Sequence, residues 1–264
     1  MSSSRSPRLL VVVAHPDDET FGCGSLLLHA AAAGAVTFVC CATRGEVGEP
    51  APGSGISQEE VGDIREQELY DAARLLGASG VELLDLVDSG LSGPTAPDTL
   101  MGAPFDDVVD RVAAVIAKTE PDVVLTLDGG DGHRDHARIR DAALAAAARP
   151  GSPVRQVYLQ CVPRTWIRSW LEEQARTKPD SPYLQLGDLG TPEELITGVI
   201  DTTEHFTARE RAIAAHASQV SPFAMMADEV RRQVLTTEHL RRVVPPWPAD
   251  QPATDEFDLT AGIS

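Results

Sequence analysis

The chain predicts a single-domain α/β fold: a Rossmann-like open sheet, mostly parallel, with helices on both faces. Three observations carry that expectation. Aliphatic runs at 8–14 and 122–127 are nearly continuous, as strands buried on both faces require. Strand-like and helix-like segments alternate along the chain, the pattern of βαβ units. Both runs end abruptly in clusters of His and Asp, where open α/β sheets collect ligands beyond the carboxyl ends of their strands.

The elements follow in order. A strand at 8–14 leads to a helix from about 20 to 33, which Gly34 terminates. A strand at 35–42 precedes a Gly/Pro-rich loop from 44 to 56. Ser57-Gln58-Glu59-Glu60 has capping-box form and opens a helix from about 58 to 76, stopped by Gly77. A short strand at 81–86 gives way to a second Gly/Pro-rich stretch, 88 to 104, whose length in a compact domain marks a lid or binding loop bordering the substrate. A helix at 105–118, a strand at 122–127 and a helix at 135–149 follow. Strands at 154–161 and about 196–201, with a helix near 164–176 between them, complete the core. Helices at 207–217 and 224–241 close the fold. The expected organisation is a tail at 1–7, one domain at 8–244, and a Pro-rich acidic arm at 245–264.

Pro16 has no N–H for a ladder and ends the first strand, so His15, Asp17 and Asp18 crowd a tight turn. His15 and Asp18 can reach one metal there, leaving Asp17 to handle protons. The second run discharges into Asp128-Gly129-Gly130-Asp131-Gly132-His133-Arg134-Asp135-His136. If the two strands are parallel neighbours, both clusters converge on one crevice. Nitrogen and oxygen donors without thiolate suit zinc, or iron(II) or another first-row divalent ion. Three protein ligands with a fourth position left for water describe a catalytic site.

With 22 Lys and Arg against 40 Asp and Glu, the net charge of −18 excludes a phosphate-tracking nucleic-acid binder and favours a neutral or cationic substrate. Cys23, Cys40, Cys41 and Cys161 lack paired ligand spacing and read as buried reduced thiols, which points to the cytoplasm. The N-terminal apolar run is too short for a membrane span and has no small-residue cleavage site. The composition is compatible with a homo-oligomer.

Ala14-His15-Pro16-Asp17-Asp18-Glu19 and the pair His133-x-x-His136 resemble the signatures of the PIG-L or LmbE-like family of zinc-dependent N-deacetylases. The first signature matches without change. In the second, Arg134 stands where the family commonly has Pro, so a less rigid loop and a cation beside the site are expected. Weaker echoes extend over roughly 8 to 221: Thr43-Arg44-Gly45-Glu46, Arg65-Glu66-Gln67-Glu68-Leu69, Asp88-Ser89-Gly90 and His216-Ala217-Ser218-Gln219. The resemblance implies His15, Asp18 and His136 as zinc ligands, Asp17 as general base and His133 as a second catalytic imidazole. It also implies a small N-acyl amino-sugar substrate, with Arg65 and Asp88 as its binding residues. Beside the metal, His133 is expected to act as a cation on the acyl oxygen or as an acid toward the amine. Glu19 reads as a helix-start residue favoured by the dipole, and His216 as a packed histidine.

Two rival functions differ in class. A thiol S-conjugate amidase of the mycothiol type shares the zinc chemistry and is told apart by its product. A magnesium-binding receiver-like regulatory domain would share the acidic pair after the first strand, but clustered imidazoles speak against magnesium. A dinucleotide-binding module is weaker, since Gly22-Cys23-Gly24 lacks the third glycine of the phosphate fingerprint.

Overall fold

The computed structural model describes residues 5–260, a seven-stranded sheet with helices on both faces. The elements in chain order are β1 (Arg8–Val13), α1 (Asp18–Phe21), α2 (Gly24–Ala32), β2 (Val36–Cys41), α3 (Val61–Leu75), β3 (Gly80–Leu83), α4 (Phe105–Thr119), β4 (Val123–Leu127) and α5 (Arg134–Ala147). They continue with β5 (Gln156–Cys161), α6 (Arg164–Thr177), β6 (Gly198–Asp201), α7 (Phe206–Ala215), α8 (Asp228–Thr236) and β7 (Thr237–Val244).

The strand order is β3-β2-β1-β4-β5-β7-β6, with β1 to β5 parallel. A receiver domain would need its second strand at the edge and its first and third as neighbours, so this order sets that reading aside. The chain direction across the sheet reverses between β1 and β4, which pair directly with Leu9 opposite Val123 and Val12 opposite Thr126. Their carboxyl ends therefore open side by side, and both charged clusters emerge at that switch point.

The aliphatic run of β1 is continuous because both of its faces are covered. Leu9, Val11 and Val13 pack with α2, α3 and α7 side chains such as Leu26, Leu69 and Ala212, while Leu10 and Val12 pack with Val108, Val112 and Ile139 of α4 and α5. Alternation at period two divides the strand between two cores, each burying enough apolar surface to fix the register.

The structure corrects two expected elements. The helix expected at 20–33 is two helices separated at Gly22-Cys23, and position 22 must be glycine because a side chain there would meet Leu127 at 2.6 Å where the chain passes the end of β4. The helix expected at 224–241 ends at Thr236, and the remainder is β7, antiparallel to both β5 and β6. Thr236-Thr237 and Val243-Val244 are β-branched, and Glu238 and Leu240 are buried on one face in period two. Pairing with β7 also covers the edge that β5 would otherwise expose.

The arm after β7 lies back on the sheet. Thr254 exchanges backbone hydrogen bonds with Thr197 and Val199, and Phe257 and Leu259 join the core beside Tyr158. Residues 1–4 of the expected tail and 261–264 of the arm lie outside the described residues. All four cysteines are buried free thiols. Among the described residues no helix is long and apolar enough to cross a membrane.

Candidate active site

The turn after β1 is built by its own backbone and held by distant side chains. Asp18 N–H donates to the His15 carbonyl at 3.2 Å, and the His15 N–H donates to Asp18 Oδ2 at 2.9 Å. Between them Asp17 adopts φ 124°, a conformation that costs a non-glycine residue of the order of 1–3 kcal/mol. Three contacts enforce it. Asp17 N–H donates to Glu19 Oε2 at 2.9 Å, and Arg65 Nη2 donates to the Pro16 carbonyl at 2.5 Å and to Asp17 Oδ2 at 3.0 Å.

Arg65 comes from α3 and is buried. Its approach needs Gly45, whose carbonyl accepts from Nη1 at 2.9 Å and where a Cβ would meet the guanidinium at 2.3 Å. The scattered echoes in the sequence thereby acquire a physical reason. Thr43-Arg44-Gly45-Glu46 makes room for Arg65 and lends Glu46 to the Asp88 N–H at 3.0 Å. Glu68, one turn after Arg65, accepts from the N–H and hydroxyl of Ser218 at 2.7 and 2.6 Å.

Glu19 is fully buried, and His216 Nε2 lies 2.7 Å from its Oε1. The helix-start role expected for Glu19 is thus incomplete, for its carboxylate ties the Asp17 backbone to the end of α7. His216 is packed, as expected, and serves as Glu19's partner.

From the other strand, the loop after β4 delivers His133 and His136 at the start of α5. His136 Nε2 lies 3.3 Å from His15 Nδ1 and 3.3 Å from Asp18 Oδ1, while His15 Nδ1 lies 3.6 Å from Asp18 Oδ2. The two imidazole nitrogens thus face one carboxylate, each through a different oxygen. A tetrahedral ion about 2.1 Å from each donor would hold them about 3.4 Å apart, so the residues fit such a metal. The opposite ring nitrogens are also engaged. His136 Nδ1 contacts Asp131 Oδ2 at 2.5 Å, and His15 Nε2 faces Asp135 Oδ2 at 3.3 Å and Asp88 Oδ1 at 3.4 Å. Carboxylates behind both imidazoles are the usual orienting partners of metal-ligating histidines.

The electrostatics favour a cation here. Burial opposes charge on His15 and His136, yet the surrounding carboxylates outweigh it and raise His15 well above its ordinary value and His136 to about 10. Asp18 is held well below the usual carboxylate range, the two imidazoles overcoming its burial. Asp17 moves the other way: burial, only partly offset by Arg65, pushes it up to about 6.

His133 lies beside both imidazoles, stacked on His136 at 4.8 Å and edge-on to His15 at 4.7 Å between ring centroids. One nitrogen from each of His15, His133 and His136 lies within 4.8 Å of the other two, as do donor atoms of His15, Asp88 and Asp135. However, Nδ1 of His133 caps α5 by accepting from the Asp135 N–H at 3.2 Å. Burial and the positive charges of His15 and His136 push His133 down to about 4. It is therefore a neutral ring near neutrality, rather than the cation expected from the sequence.

Arg134 places a cation beside the site, as expected. Its guanidinium donates to the carbonyls of Gly90 at 2.7 Å, Gly93 at 2.8 Å and Ser92 at 3.1 Å, and to that of Ser89. The cation thereby ties the 89–93 segment to the start of α5. Asp135 Oδ2 adds a bond from the Ser89 N–H at 2.9 Å.

The structure thus gathers His15, Asp17, Asp18, Asp88, His133 and His136 at one sheet edge and turns Arg65 onto Asp17. Asp131 and Asp135 were missed as partners of the imidazoles, although a histidine ligand's need for a carboxylate behind it could have flagged both. No local signal announced Glu19 and His216, 197 residues apart.

The sequence profile of the PIG-L family, GlcNAc-PI de-N-acetylase, matches residues 10–147, a span that contains both clusters. The chain belongs to the PIG-L family. One relative in sequence is the 1D-myo-inositol 2-acetamido-2-deoxy-alpha-D-glucopyranoside deacetylase of Geodermatophilus obscurus, 33% identical over 272 residues covering 90% of this chain and 92% of that one. As a PIG-L protein of this kind, the chain is an N-deacetylating amidohydrolase. Among solved structures, the N,N'-diacetylchitobiose deacetylase of Pyrococcus horikoshii shares its fold at TM-score 0.60 and 20% identity, covering 90% of this chain and 84% of that one. So does the 4-carboxy-2-hydroxymuconate hydratase GalB of Pseudomonas putida, at TM-score 0.59 and 21% identity, covering 92% of this chain and 98% of that one. The names of these two neighbours give different reactions, so the likeness shows the fold alone.

Proposed function

We propose that this chain is a zinc-dependent deacetylase of an N-acetylglucosaminyl conjugate, with an N-acetylglucosaminyl inositol as its substrate. The observation that carries the reading is the pair of His15 Nδ1 and His136 Nε2, 3.3 Å apart, facing the two oxygens of one Asp18 carboxylate at 3.6 and 3.3 Å, with carboxylates behind both imidazoles. The likeness to inositol-conjugate deacetylases over nine-tenths of the chain supports the substrate.

His15, Asp18 and His136 would hold the ion. His133 is the less suited donor because its Nδ1 already accepts the Asp135 N–H. Bound there, zinc supplies Lewis acidity toward the acyl oxygen and makes water more acidic.

The remaining steps fall to this chain's side chains. Asp17 accepts the proton of the attacking water and returns it to the departing amine, a role suited to a carboxyl raised to about 6. Glu19 and Arg65 hold it in its strained geometry throughout. With Nδ1 an acceptor, the neutral His133 carries its proton on Nε2 and donates to the acyl oxygen as charge develops there. Asp88, buried beside His15 on the loop that Arg134 fixes, accepts from sugar hydroxyls. Arg65, expected from the sequence as a substrate-binding residue, instead positions Asp17, its buried guanidinium being engaged by protein acceptors.

The test is acetate release by zinc-loaded protein from N-acetylglucosaminyl inositol, other N-acetylated sugars and thiol S-conjugates, before and after chelation. Acetate from the inositol conjugate, lost on chelation and restored by zinc, is the expected result. Cleavage of only the thiol conjugates would replace the reading with the amidase one, and an unchanged rate in chelator would remove the metal.

A further inference from the structure

Among the described residues, a second group of metal-ligating side chains stands away from the crevice. His29 on α2, and Glu204 and His205 in the turn that starts α7, each offer one donor atom, all within 4.8 Å of one another. Two of those residues carry an unsatisfied nitrogen. His29 Nδ1 and His205 Nε2 are both buried without a hydrogen bond, and His205 itself is 91% buried at 9% exposure. Glu204 Oε1 lies 3.4 Å from His205 Nε2 without forming a hydrogen bond to it. The imidazoles meet edge to face at 5.8 Å between centroids.

Buried ring nitrogens without partners are costly and call for an explanation in the form of a missing ligand. We propose that His29, Glu204 and His205 form a second divalent-metal site, of the zinc class, that staples α2 to the start of α7. Two imidazoles with one carboxylate select zinc or a neighbouring late first-row ion over magnesium or calcium, which prefer oxygen. Donors around a tetrahedral zinc stand about 3.4 Å apart, so closure from within 4.8 Å takes roughly an ångström of side-chain movement. The pair of Glu204 and His205 is already at 3.4 Å, so the movement is that of His29 toward it. Three protein donors leave a fourth position to water.

The site is distinct from the first one. α7 runs from Phe206 next to His205 down to Ala215 next to His216, a helix of ten residues and about 15 Å, before the chain reaches the pair with Glu19. An ion at its start would fix the far end of the helix whose near end braces the Asp17 turn. The inference rests on none of the roles proposed for the first site.

Zinc titration by calorimetry of chelator-treated protein, with elemental analysis after dialysis, tests it. Wild type is expected to take up two equivalents, and His15→Ala to keep one. His29→Gln and Glu204→Gln are each expected to lose one equivalent while retaining wild-type kcat at saturating first-site metal. Glu204 is exposed, so its substitution leaves the fold intact and isolates the ligand role. The second equivalent should also raise the melting temperature of wild type but not of His29→Gln. Uptake by His29→Gln and Glu204→Gln equal to that of wild type would overturn the proposal, whereas a single wild-type equivalent that is lost in these two variants and kept in His15→Ala would remove the first site alone.

Discussion

Arg134 Nε donates to the carbonyl oxygen of Gly90 at 2.7 Å, joining the first turn of α5 to the loop that carries Asp88. The same guanidinium also reaches Ser92 and Gly93, adding to the bonds that Asp135 and Asp88 accept from the N–H groups of Ser89 and Gly90. Arg134→Ala should leave metal content unchanged, lower stability by about 1–3 kcal/mol and raise KM more than it lowers kcat. Faster amide exchange over 89–93 would accompany it. Unchanged exchange there would mean that the loop is held by Asp135 and its own turns.

Asp17 and Arg65 make a second test. Asp17 acts as a base only when deprotonated, so kcat/KM should rise with pH through about 6. Arg65 lowers the Asp17 pKa by its charge, so Arg65→Met should move that acidic limb to higher pH. Asp17→Asn should keep the metal, lose the limb and cost about 10²- to 10⁴-fold in kcat. A pH–rate profile for each variant with metal content verified provides the check, and near-normal turnover of Asp17→Asn would assign the base elsewhere.

Asp131 orients His136 from behind, at 2.5 Å from Nδ1. Asp131→Asn should weaken metal affinity by about 10- to 100-fold without removing a ligand. Since His136 is raised to about 10, metal binding at pH 7 must displace a proton from it, and apparent affinity should climb with pH until that value is approached. Calorimetry in buffers of different ionisation enthalpy would count the protons released. No release would show that the ion binds elsewhere.

His133 decides how the acyl oxygen is stabilised. A divalent ion brings the two positive charges that protonated His15 and His136 would carry, so the depression of His133 to about 4 should persist in the metal-loaded site. His133→Ala should therefore keep metal, lose about 10²- to 10³-fold in kcat, and leave the shape of the pH profile unchanged. A falling basic limb in wild type that disappears in His133→Ala would instead identify His133 as a cation that must stay protonated.

The sequence by itself determined the α/β class, the two-sided burial of β1 and the strand ends that carry charge, while the pairing of β1 with β4 that joins those ends was decided by the tertiary structure. Leu9 to Val13 alternate between two cores, and Pro16 stops the strand, so local pattern suffices to put His15, Asp17 and Asp18 at a strand end. It also placed His133 and His136 at a helix start, because such signals lie within a few residues of one another. β7 escaped local reading because Thr237–Val244 becomes a strand only when β5 and β6 offer edges on both sides. Tertiary structure alone decided which charges meet. Arg65 reaches Asp17 across 48 positions and His216 reaches Glu19 across 197, and no period in the sequence reports contacts of that range. The same holds for the protonation states. Burial raises Asp17 and lowers His133, and burial is a property of the packed whole rather than of either residue's neighbours in the chain.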